Sequence, residues 1–230
     1  LLDSLSQAEL EAIASEPYEP RGIPHSEMAL IIHICRRLGI EVVIESGRAR
    51  GQSTYMLAKY LPGVDVHSVE LRDHPDEAIA RERPEDFRNV LLHHGDGNVL
   101  ITQLLANLSR RAARTAILLD GPKGAAAVSI LQGAFRWPHV AVGFIHDMRR
   151  LDHGAPSPHR ADAIARLPNH AFSDDPRIVS AASWMDATII ATGGPAGPAH
   201  EAVFGSYGPT VGVFLNPDGL NQQSALSPHP

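Results

Sequence analysis

Five carboxylates stand where the apolar runs of this 230-residue chain break off. Glu45, Glu70, Asp96, Asp120 and Asp147 each close, or follow within two residues, one of the runs 41–45, 64–71, 90–94, 115–120 and 140–146. A carboxylate at neutral pH only accepts hydrogen bonds, so a row of them along one edge suits ligand hydroxyls, amines or a cation. The stretch Glu45-Ser46-Gly47-Arg48-Ala49-Arg50-Gly51-Gln52-Ser53 says more, because it joins an apolar run to the helix-like Thr54-Tyr55-Met56-Leu57-Ala58-Lys59-Tyr60. Buried strand, glycine turn and helix is the layout of a nucleotide-like cofactor site, where glycine lets the backbone turn sharply and lets a ligand approach without meeting a Cβ. The spacing Glu-x-Gly-x-x-x-Gly differs from the Gly-x-Gly-x-x-Gly of dinucleotide enzymes. Glu70, ending the next apolar run, is placed to hold a ribose through its hydroxyls. Arg48 and Arg50 read as solvent-facing, or as receptors for a carboxylate or anionic substrate.

The elements that must position these residues alternate. The five apolar runs read as strands, and 52–61, 75–81, 99–113 and 124–135 between them read as helices. Such alternation implies right-handed crossovers and a mostly parallel sheet covered on both faces. Ahead of it come helices at 5–15 and 27–38, the second N-capped by Ser26 and ended by Gly39, joined by a link carrying Pro17, Pro20 and Pro24. Beyond residue 150 we expect a glycine- and proline-bearing loop at 151–158, a helix at 159–167 and an antiparallel pair of strands at 203–207 and 210–215. The expected fold is α/β: a Rossmann-like, doubly wound, mostly parallel sheet with a C-terminal antiparallel strand pair and helices on both faces. It forms one domain over 1–230, with 1–25 as N-terminal helix and link and 217–230 as a flexible tail.

The turn at 45–53 together with Glu70 resembles the S-adenosyl-L-methionine (SAM) site of class I methyltransferases, over residues 26–216. The resemblance implies that Glu45 shapes the turn near the methionine amino group and that the Gly47–Gly51 backbone approaches the cofactor. It further implies that Ser53 caps the next helix or meets the cofactor carboxylate, that Glu70 holds the ribose, and that Asp96 accepts from the adenine amine. A second segment, Leu119-Asp120-Gly121-Pro122-Lys123-Gly124, resembles the Asp-x-x-Lys motif of metal-dependent small-molecule O-methyltransferases of the catechol and caffeoyl-CoA type. In that family the aspartate binds a divalent cation and the lysine deprotonates the accepting hydroxyl, which makes Asp120 and Lys123 the implied catalytic pair. A cation such as Mg²⁺ lowers a hydroxyl's pKa and orients it, and a desolvated lysine beside it is itself shifted down toward working pH. Asp147 matches the second metal ligand, but the asparagine that usually follows is Met148 here, and a thioether is a poor partner for Mg²⁺. His146 offers a nitrogen in its place, which shifts the preference toward Mn²⁺, Fe²⁺ or Zn²⁺. The 45–53 segment also resembles the cephalosporin-hydroxylase-like and rhamnosyl O-methyltransferase group, with its Glu-x-Gly-x-Ala-Arg-Gly pattern. His153 and His159 flank the loop that covers the acceptor in this fold and are candidates for a general base.

Composition narrows the classes. A net charge of −6 disfavours nucleic acid as the main ligand. One cysteine, Cys35, excludes an internal disulfide framework and fits a reducing compartment, and its apolar neighbours mark it as a buried thiol. No apolar run approaches the ~20 residues that cross a membrane and no signal peptide is visible, so the cytoplasm is the expected compartment. The reading is a SAM-dependent methyltransferase acting with a divalent cation on the hydroxyl of a small molecule, within a fold that commonly forms homodimers. Two alternatives stand beside it: a nicotinamide-dependent oxidoreductase, and a non-catalytic ligand-binding module of the same fold, for which Met148 is the main support. Titration with NADH against SAM separates the first, and SAM binding without turnover marks the second.

Overall fold

The computed structural model describes residues 2–71, 76–82, 86–150, 156–167 and 169–220. Seven strands make one sheet: β1 (Val42–Ser46), β2 (Asp65–Glu70), β3 (Val90–His94), β4 (Thr115–Leu119), β5 (Val140–Ile145), β6 (His170–Phe172) and β7 (Gly212–Leu215). Their order is β3-β2-β1-β4-β5-β7-β6, parallel from β3 to β5 and antiparallel at β5–β7 and β7–β6. The helices are α1 (Gln7–Ala14), α2 (His25–Arg37), α3 (Gln52–Tyr60), α4 (Glu77–Glu82), α5 (Gly97–Leu108), α6 (Ala125–Ala134), α7 (Pro158–Arg166), α8 (Pro176–Ala182), α9 (Ala187–Ala191) and α10 (Pro198–Phe204).

Burial follows from the strand period. Successive side chains point to opposite faces, and β1, β4 and β5 are buried throughout, so both faces need cover. Val43, Ala116, Leu118, Val142 and Phe144 pack with Ile13 of α1, Met28 and Ile31 of α2, and Met56 and Leu57 of α3. Val42, Ile44, Ile117, Leu119 and Ile145 pack with Ile101 and Leu105 of α5, Val128 and Leu131 of α6, and Ala163 of α7. The sheet is thus a wall between two apolar layers, and its strand ends open along one edge. The expected fold class is the observed one.

Local chemistry moved several boundaries. Ser26 is not an N-cap: α2 starts two residues before the expected 27, behind Pro24, and the Ser26 N–H and hydroxyl both donate to the buried Asp186 carboxylate. Asp96 caps α5 through Asn98 N–H, starting it two residues before the expected 99, and the segment ends in a 3₁₀ turn at Ser109–Arg111. The largest correction is C-terminal. Residues 203–207 form no strand, because Pro198 starts a helix and Gly205, in the left-handed region at φ 65°, ends it. The second antiparallel strand is His170–Phe172, paired with β7. The first residues of the expected tail, 217–220, form a helical turn whose Leu220 packs on the core, and 221–230 lie outside the described residues.

Candidate functional site

Strand order reverses between β2 and β4, the two neighbours of β1, so the following loops diverge there and leave a crevice at the carboxyl ends. A cleft of about 800 Å³ occupies it. Its floor is two backbone turns in contact: the N–H groups of Asp120 and Gly121 donate to the Ser46 carbonyl, at 2.9 and 2.7 Å. Gly47 sits at φ 95°, and a Cβ on it would collide with the Gly121 backbone. Glycine is therefore required at 47 for chain approach as well as for conformation. Glu70 lines one wall. Its two oxygens each accept one N–H, from Ala49 at 3.0 Å and Leu71 at 2.8 Å, which fixes the carboxylate and leaves lone pairs toward the cleft. Asp96 lines the same wall and spends Oδ1 on Asn98 N–H at 2.8 Å.

Three residues expected at the cofactor do not line the cleft. Glu45 is fully buried and its carboxyl accepts from the hydroxyls of Ser53, Thr54 and Ser68, tying β1 to α3 and β2. Burial raises its pKa, and those hydroxyls only partly counter this. Ser53 is spent on that knot, and Gly51 backs against Ala80. Glu45 thus shapes the turn from below. The arginines of the turn are engaged too: Arg48 is buried, donating to the carbonyls of Ser68 and His93, and Arg50 pairs with Asp76 and Glu19. Neither serves as the expected anion receptor.

The opposite wall carries the ionic cluster. Lys123 Nζ bridges Asp120 Oδ1 at 2.6 Å and Asp147 Oδ2 at 2.7 Å. His146 Nδ1 lies 2.8 Å from Asp120 Oδ1, and its Nε2 lies 3.2 Å from Glu27 Oε2. Burial opposes charge on His146, yet the flanking carboxylates outweigh it and raise its pKa to about 10, so it stands as an imidazolium. Burial likewise opposes the Asp120 carboxylate, but His146 and Lys123 hold its pKa well below the ordinary value. For Lys123 the downward shift expected from desolvation is reversed: burial lowers its pKa, Asp120 and Asp147 raise it further, and the net direction is up. Asp147 holds φ 62°, a left-handed turn that carries it to the cleft while Met148 goes into the core, 1% exposed. Asp120, His146 and Asp147 each offer a ligand atom, all within 4.8 Å of one another.

Other residues at the site escaped the strand-end reading. Tyr18, Pro20, Arg21 and Gly22 of the proline-marked link roof the cleft. Burial, and then the charges of Glu27, Asp186 and Asp120, raise the Tyr18 hydroxyl to about 12. Glu27 had a signal, an acid opening the apolar run of α2. Arg149 and His159 line an adjoining cavity with Lys123 and Asp147. Trp184 is exposed and away from the cleft lining, its indole N–H donating to the Ala181 carbonyl. His153 and most of the 151–158 loop lie outside the described residues.

No protein-family model and no curated protein matches the chain. Solved structures do. An O-methyltransferase from Bacillus cereus in complex with SAH superposes with a TM-score of 0.50 at 15% identity, over 92% of each chain. A candidate caffeoyl-CoA O-methyltransferase from Staphylococcus aureus gives 0.49 at 13% identity, over 93% of this chain and 94% of the other. A candidate O-methyltransferase from Klebsiella pneumoniae gives 0.47 at 17%, over 90% and 89%. The fold is Rossmann-like, of the kind O-methyltransferases have, and the resemblance drawn from the motifs holds at that level. No helix among the described residues is long and apolar enough to cross a membrane.

Proposed function

We propose that this chain is a SAM-dependent methyltransferase acting on the hydroxyl of a small molecule. One observation carries the reading: a single cleft at the strand-order reversal has Gly47, Glu70 and Asp96 on one wall and Asp120, Lys123 and Asp147 on the other. The glycine floor suits close approach of SAM, which when bound supplies an electrophilic methyl group. Glu70 takes the ribose hydroxyls with the lone pairs its backbone donors leave over, and Asp96 accepts from the adenine amine through Oδ2. The acceptor hydroxyl faces Lys123. As an ammonium, Lys123 donates to the acceptor oxygen, orients it and stabilises the negative charge that builds there. Asp147, half exposed beside it, takes the hydroxyl's proton.

The cluster also fits a divalent cation. Two carboxylates converge on one position that the Lys123 ammonium fills, and His146 adds a nitrogen donor once it is deprotonated. Asp120, Asp147 and His146 would hold that ion, which when bound supplies a Lewis acid of the Mn²⁺, Fe²⁺ or Zn²⁺ type. A metal-free reading is favoured by Lys123 itself, an internal cation already paired to both carboxylates, and by Met148, buried where a further oxygen ligand would stand.

The test is calorimetric titration with S-adenosylhomocysteine, with and without Mn²⁺ or Mg²⁺, followed by an acceptor screen with and without chelator. Micromolar binding supports the cofactor assignment, and its absence in every condition refutes it. Turnover that survives chelation establishes the metal-free reading; turnover restored only by added ion establishes the other.

A further inference from the structure

Past Lys123 the cleft adjoins a second cavity of about 360 Å³, walled by Lys123, Gly124, Asp147, Arg149, Ser157 and His159. The size suits one small ring with its substituents. The charges around it do not cancel. Lys123 is matched by Asp120 and Asp147, and the next arginine along, Arg150, by Asp174 at 3.2 Å. Arg149 pairs with no carboxylate among the described residues. Its guanidinium lies over the Phe204 ring, 4.6 Å from the centroid, and Phe204 meets the His200 ring at 4.7 Å. Stacking of this kind fixes the plane of a guanidinium while leaving its N–H fork free for an oxyanion.

Two further features point the same way. The His159 ring presses its Nδ1–Cε1 edge on Gly124, where a Cβ would come within 2.6 Å of it, so the ring is held at a fixed place on the cavity wall. The nine-residue α7 begins at Pro158 on the same wall, adding the positive end of a helix dipole. Cavity, stacked guanidinium and helix start together make an environment for negative charge next to the group that faces the reacting hydroxyl.

We infer that the methyl acceptor is a small hydroxylated acid, whose carboxylate or phosphoryl group is held by Arg149 while its hydroxyl faces Lys123. The inference rests on the reading of the Lys123 cleft as the acceptor side. It moves the anion receptor from the turn arginines, which are engaged elsewhere, to the loop after β5.

The test uses protocatechuate and its neutral amide, which carry the same hydroxyls and differ in the charge of the acidic group. The Arg149 Nε–H resonance of isotope-labelled protein, identified by its loss in Arg149→Gln, is followed during titration with and without S-adenosylhomocysteine. The expected result is a saturable shift with protocatechuate, a response about tenfold weaker with the amide, and loss of protocatechuate binding in Arg149→Gln. A tighter response to inorganic phosphate also supports the inference and assigns the acidic group to a phosphoryl. Equal responses to acid and amide with no tighter response to phosphate, or no response at Arg149 to either anion, overturn it. Failure of the cofactor reading shows separately, as loss of S-adenosylhomocysteine binding in calorimetry while the Arg149 titration still reads out.

Discussion

Asp174 offers the sharpest test of how the acceptor side is held. Its carboxylate takes both prongs of Arg160, at 2.6 and 2.9 Å, and Arg150 Nε at 3.2 Å. The Asp174 and Arg160 side chains are only 4% and 7% exposed. Arg160 also lies 3.7 Å over the Phe172 ring and donates to the Met148 carbonyl at 3.3 Å. One guanidinium therefore ties α7, β6 and the turn that carries Asp147. Asp174→Ala leaves that guanidinium buried and unpaired, which costs about 3–5 kcal/mol. For a chain of this length that is a fall in Tm of about 6–20 °C. Arg160→Met with Asp174→Leu removes both charges and puts apolar volume in their place, so the double variant is expected to recover most of the loss. Thermal unfolding of Arg160→Met, Asp174→Leu and the double variant reads the coupling directly. A single-variant loss below about 1 kcal/mol, or strictly additive losses in the double, refutes the argument that the pair is desolvated and interdependent.

Glu70→Gln keeps the shape but weakens acceptance from ribose hydroxyls, and is expected to lower S-adenosylhomocysteine affinity by about tenfold in calorimetry with little change in Tm. Gly47→Ala is expected to abolish that binding, because the new methyl meets the Gly121 backbone in a residue already at positive φ; unchanged affinity would show that the floor yields. Asp186 is fully buried, and burial raises its pKa from 3.8 to about 6 against the hydrogen bonds from Ser26. A raised carboxylate pKa stabilises the fold below its unfolded value, and that stability is lost as pH rises through the folded value. Between about pH 4 and pH 7 wild type should lose roughly 2 kcal/mol relative to Asp186→Asn, read as the difference between the two urea-unfolding profiles. Parallel profiles would place Asp186 in contact with water.

The parallel sheet was legible because its strands are apolar through and through: Ala116-Ile117-Leu118-Leu119 can only lie in an interior, and the acids that end such runs mark one edge. Glu70, Asp96, Asp120 and Asp147 line the cleft where that logic put them, and the nearness of Lys123 to Asp120 was implied by the Asp-x-x-Lys resemblance instead. What the logic could not see is direction. Glu45 ends a strand as the others do, but three hydroxyls on α3 and β2 turn it inward. The downward shift of Lys123 was reasoned for a lysine beside a bound cation; with two carboxylates at hydrogen-bond distance the direction is up. The roof residues Tyr18 to Gly22 carried no local signal, since a link earns its place by where the rest of the chain folds beneath it. At 203–207 the apolar Val203 and Phe204 suggested a strand, while Pro198 and Gly205, which mark a short helix, decided the outcome.

That roof has a consequence for timing. Residues 18–22 roof the cleft; two of the ties that hold them are ion pairs near the surface, Glu19 to Arg50 and Arg21 to Asp76, while the Glu19 N–H donates to the buried Gln52 side chain and Tyr18 packs edge-on against His25. Ion pairs of this kind, with one partner well exposed, are weak and screened by salt. The knot at Glu45 beneath the same cleft is neither. If the cleft holds SAM as proposed, the ligand meets a fixed floor and a yielding ceiling, and its entry and departure run through the link while the floor keeps its shape. On that reading, raising the ionic strength should speed the release of S-adenosylhomocysteine without altering how it is seated.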